Sequence, residues 1–120
     1  PASKTRAARH EASRRAWQTV AVRRQVREVA VLAWHDRETA RSVVAARGLQ
    51  IVAAERALEG VVAEHRVGRR TLLDVLDAQQ ELSDAQAAKF ASERDYAIAR
   101  YSLLAVVGRL TSVELGILPE

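Results

Sequence analysis

The sequence predicts an all-α fold, a long antiparallel coiled-coil helical hairpin. Three observations lead there. The chain is rich in alanine, arginine, valine and leucine, with charged residues at 28% and aromatic residues at only 4%; that composition belongs to long helices rather than to a rounded core of large side chains. Proline occurs only at Pro1 and Pro119, so nothing bars helix across the interior. One strong break, Gly68, interrupts two long stretches of apolar periodicity. At 120 residues the chain makes one domain.

The first element is helix one, about residues 4–66. Its apolar positions Val44, Ile51 and Leu58 recur every seven residues, flanked by Ala54 and Val61. Gly48 and Gly60 weaken it by about 1 kcal/mol each. A tip turn at 67–71 follows: Gly68 suits the left-handed position that ends a helix, and Thr71 with Asp74 has the spacing of a hydroxyl N-cap and an acid three residues on. Helix two then spans about 72–108. In it Val75, Leu82, Tyr96, Leu103 and Leu110 hold one heptad position, with Lys89 the single interruption. Ala78, Ala85, Ser92, Ala99 and Val106 hold the position three residues later. Alternating large and small seam residues suit a closely spaced antiparallel pair. A second apolar set, Phe90, Ala97, Tyr101 and Leu104, lies off that seam and predicts further helical neighbours. Gly108 is expected to close helix two. Thr111 with Glu114 repeats the capping spacing and predicts a short turn or helix at 111–116, with its leucines and Ile117 folded back. Mirroring the chain about the tip pairs Arg109 with residues near Val29 and leaves 2–28 without a partner, as expected of a fragment.

The chemistry this chain excludes is broad. With no cysteine there are no disulfides, zinc–thiolate sites or thiol nucleophiles. His10, His35 and His65 are far apart, without the i, i+4 pairing of a helical metal site. No phosphate-binding glycine loop is present, and no nucleophile stands beside a base. The expectation is no enzyme, no cofactor and no bound metal. No apolar run approaches the ~20 residues that cross a bilayer. The opening "PASKTRAARH" has neither an initiator methionine nor a signal-peptide pattern, which fits a piece of a longer protein. Residues 1–28 carry Lys4, Arg6, Arg9, Arg14, Arg15, Arg23, Arg24 and Arg27 against Glu11 and Glu28. Such an arm can bind nucleic acid or form the solvated face of a helix. A structural or nucleic-acid-binding coiled-coil hairpin is therefore the alternative reading. Against nucleic acid, Trp17 is the sole aromatic in the arm and no recognised motif accompanies it.

The stretch "VGRRTLLDVLDAQQEL" at 67–82, followed by "YSLLAVVGRLTSVEL" at 101–115, resembles the C-terminal signature of the TolC family of bacterial outer-membrane channel proteins. "QVREVAVLAW" and "AAERALEGVVAEHRVG" upstream are similar to the helix that precedes it. The resemblance implies a trimer with a β-barrel in the outer membrane, continued by a periplasmic barrel of helices. It also implies a periplasmic adaptor (membrane fusion protein) and an inner-membrane transporter as partners. This chain matches the second hairpin; the membrane-spanning strands are absent from it, and nucleic acid is not among the implied partners. On the family pattern Asp74 and Asp77 line the entrance as a gate, and Arg70 is a tip lock reaching a neighbouring hairpin. His65 stands where the family often has an aromatic in the same lock, and Val67, Gly68 and Arg69 form the apex that meets the adaptor. The implied activity is type I secretion or multidrug efflux, with the D-V-L-D-A form closer to the secretion branch.

Overall fold

A computed structural model describes residues 1–116. They form two helices, α1 (Ala2–Arg66) and α2 (Leu72–Glu114), and no strand is present among them. The all-α hairpin is the observed fold. It divides into two compact units. One contains Asp36–Arg100, and the other contains Pro1–His35 with the chain from Tyr101 onward.

In the Asp36–Arg100 unit the chain reverses at the tip, and the two helices meet along a regular seam. From α1 come Arg37, Ala40, Val44, Arg47, Ile51, Ala54, Leu58 and Val61; from α2 come Val75, Ala78, Leu82, Ala85, Lys89, Ser92, Tyr96 and Ala99. Each is buried or half-buried, and the steps alternate three and four residues, the rhythm of knobs packing into holes. Val75 and Ala78 are the most enclosed apolar side chains here, with Ser92 also buried, its hydroxyl donating to the Lys89 carbonyl at 2.7 Å. That bond is what lets a serine occupy a small-residue position without an unpaired polar atom. The charged seam residues bury their stems and lead their charges outward: Lys89 to Glu93 at 3.8 Å, Arg37 to Glu38 at 3.2 Å, and Arg47 to the Gln50 side-chain oxygen at 3.0 Å. Lys89 is therefore an accommodated seam member and not a break. Phe90, by contrast, is 72% exposed.

In the other unit the buried and half-buried positions include Val22, Val26, Ala30 and Ala33 on α1, at steps of four, four and three, and Leu103, Val106, Leu110 and Val113 on α2, where the three–four alternation continues. Val26 is the buried centre, and it lines a small cavity with Val22, Gln25, Val29, Val106 and Arg109. Two expectations are corrected here. Helix two does not close at Gly108, and no separate turn or helix starts at Thr111: α2 runs on to Glu114. Gly108 keeps a negative φ, and Thr111 and Ser112 donate back to the carbonyls of Val107 and Gly108 at 3.0 and 2.9 Å, the mid-helix use of a hydroxyl rather than its capping use. The stop after Glu114 is instead Gly116, at φ 68°, whose N–H donates to the Val113 carbonyl at 3.1 Å. With α2 longer, the pairing reaches further back than Val29. Glu114 takes Arg27 at 3.4 Å, so the expectation that 2–28 lack a partner fails at Val22, Val26 and Arg27, while 1–18 are exposed at every position. The fold-back expected of Ile117 lies outside the described residues.

Candidate functional site

The tip joins the helices in five residues. α1 ends in a Schellman arrangement: Gly68, at φ 80°, donates its N–H to the His65 carbonyl at 3.0 Å, and Arg69 donates to the Glu64 carbonyl at 2.9 Å. These two bonds satisfy helix-end carbonyls that would otherwise be orphaned. α2 begins in a reciprocal capping box. The Thr71 hydroxyl accepts from the Asp74 N–H at 3.2 Å, and the Asp74 carboxylate accepts from the Thr71 N–H at 2.9 Å. The spacing read from the sequence thus forms the cap it predicts.

Side chains brace the turn further. The Arg70 guanidinium donates through Nε to Glu64 Oε2 at 2.5 Å, and His65 Nδ1–H donates to the Arg70 carbonyl at 2.9 Å. Arg70 is thereby tied to the last turn of α1 through both its backbone and its side chain. The Glu64 hydrogen bond and charge hold the Arg70 pKa above its usual value. For Asp74 the Thr71 N–H is the first cause and the Thr71 hydroxyl bond the second; together they hold the carboxyl below the ordinary carboxylate range, with Arg70 adding a smaller pull.

The sequence-predicted residues therefore divide. Asp74 is half-buried and spends one oxygen on its cap, whereas Asp77, one turn on, is exposed. Arg70 and His65 come together in one bonded cluster. Val67, 70% exposed, projects at the apex beside Gly68 and exposed Arg69. Leu72, Leu73 and Leu76 on the first turns of α2 are also more than half exposed. The residue that sequence reasoning passes over is Glu64. Its signal is available: it stands four residues before a helix-ending glycine and six before Arg70, a separation that a tight reversal closes.

No helix among the described residues is long and apolar enough to cross a membrane. No protein-family model matches the chain, and no solved structure matches it. Over 96 residues, 80% of this chain, it is 45% identical to the outer membrane efflux protein BepC of Brucella suis biovar 1 (strain 1330). The chain spans 21% of that protein's length. A match of that extent within 120 residues takes in the tip from Glu64 to Asp77. Over the matched residues, this chain belongs to the TolC family of outer membrane efflux proteins.

Proposed function

We propose that this hairpin is the periplasmic part of a TolC-like outer-membrane channel, where it forms tunnel wall and entrance for efflux or type I secretion. The observation that carries the reading is the 45% identity to an outer membrane efflux protein across a segment containing the charged tip. In this reading three copies assemble around the tunnel, with their exposed Phe90, Tyr101 and Leu104 packing on neighbouring helices. Asp74, half-buried and kept ionised by its cap, and the more exposed Asp77 supply the negative charge at the entrance. Arg70, with His65, is the lock that links the tip to a neighbouring hairpin, and Val67, Gly68 and Arg69 meet a periplasmic adaptor that connects to an inner-membrane transporter. The little-encumbered backbone at Gly68 favours close approach there.

The test is single-channel recording of the full-length protein in planar bilayers. Asp77→Asn should weaken cation preference and block by multivalent cations, and Asp74→Asn with Asp77→Asn should weaken both further while assembly is kept. Unchanged selectivity and block in the double variant would remove the gate role and leave a capped turn.

A further inference from the structure

We infer that Glu64 is a positioning residue of the tip, an internal competitor that holds Arg70 on its own hairpin and so opposes the closing link to a neighbour. The inference rests on the proposed role of Arg70 as a lock and deepens it by naming what the lock must be taken from.

The geometry carries it in three steps. First, the pair needs no second hairpin: Glu64 Oε2 holds Arg70 Nε at 2.5 Å within one chain. Second, the pair is built into the turn. The Glu64 carbonyl takes the Arg69 N–H, the His65 carbonyl takes the Gly68 N–H, and His65 Nδ1–H reaches the Arg70 carbonyl at 2.9 Å. Residues 68–70 are thus fixed against the end of α1, and the Arg70 side chain starts from a backbone already set to meet Glu64. Third, a guanidinium carries a single positive charge. Beside the Glu64 carboxylate it is a neutral pair, and an acceptor on a neighbouring hairpin gains much less from it than from a free arginine. Both side chains are about half exposed, so the pair is weak enough to be exchanged and does not act as a permanent staple.

The prediction is one of sign. Removing the lock and removing its competitor should move the channel in opposite directions. In single-channel recordings of the full-length protein, Arg70→Ala should raise open-state occupancy. Glu64→Gln should lower it by about two- to fivefold, the range expected for releasing an exposed ion pair, and Glu64→Ala should do the same. Both Glu64 variants keep the backbone carbonyl that caps α1, so the turn itself survives. The double variant Glu64→Gln, Arg70→Ala should match Arg70→Ala alone, because Glu64 acts only through Arg70. If Arg70→Ala opens the channel and the Glu64 variants open it too, or leave it unchanged, the competition is wrong and the lock stands. An effect of Glu64→Gln that persists in the Arg70→Ala background likewise overturns the competition and marks a merely structural role. If Arg70→Ala itself changes nothing, the lock reading falls and this inference falls with it.

Discussion

At the level of single residues the turn from Gly68 to Asp74 obeys local chemistry, which is why the sequence displays it. A glycine at φ 80° is there because any side chain at that angle is strained, even though the space around it is open. Gly68→Ala should therefore cost about 1 kcal/mol in chemical denaturation, from backbone strain alone. Thr71→Ala should cost a similar amount, about 1 kcal/mol, by deleting the N-cap. The carboxyl of Asp74 gives a pH signature. Its pKa is lowered from 3.8, so its capping contribution is complete above the unfolded-state value and is lost as pH falls through the lower folded-state value. An acid titration followed by amide NMR should show the Thr71 N–H losing protection only below about pH 3.8, and Asp74→Asn should abolish that step. Protection lost near neutral pH would mean that the box is not the bond that orders the turn. Glu64 is harder to see because its partner is six residues away. Only the geometry of the reversal, and not a helical or strand period, brings the two together.

At the level of the helices, the seam is legible wherever the heptad is regular. Each large and small position assigned to helix two from Val75 to Leu110, together with Lys89, is buried or half-buried. On α1 the rule identifies Val44, Ile51, Ala54, Leu58 and Val61 and stops short of Ala40, because Arg37 and Arg47 fill seam positions with their aliphatic stems and disguise the repeat. The end of α2 misleads for a related reason. Gly108 and Thr111 look like a stop and a start, yet Leu103, Val106, Leu110 and Val113 keep the three–four rhythm through them, and packing outweighs a propensity cost of about 1 kcal/mol. Gly108→Ala, helical and with open space at its Cβ, should then stabilise the chain by about 0.5–1 kcal/mol, the opposite sign to Gly68→Ala. Along the seam, Val75→Ala should cost about 1–2 kcal/mol, whereas exposed Phe90→Ala should stay within about 0.5 kcal/mol in dilute solution. Thermal unfolding of the three variants at low concentration checks the order. Destabilisation by Gly108→Ala would restore the predicted helix end.

At the level of the whole molecule, burial is meagre. Among the described residues Val26, Val75 and Ala78 are the buried apolar side chains, while Trp17, Leu32, Leu49, Phe90, Tyr101 and Leu104 are each more than 60% exposed. Helices of 65 and 43 residues lose much conformational entropy on ordering, and a single seam, mostly half-buried, returns little against it. Apolar surface left exposed on both helices is available for packing. The second apolar set on helix two is legible in the sequence as a stripe off the seam, but what would cover it is not, because a partner outside the chain leaves no pattern within it. The 120-residue chain should accordingly associate in solution, and its stability should depend on concentration. For a dimer each tenfold increase adds about 1.4 kcal/mol, enough to raise the melting temperature by a few degrees. Circular dichroism melts at several concentrations, paired with sedimentation velocity, read both quantities. Replacing Phe90 and Leu104 together by polar residues should abolish the concentration dependence while leaving the seam intact. A monomer that melts at one temperature across the whole range would show that the single seam suffices, and would remove lateral packing through these two residues from the proposed channel wall.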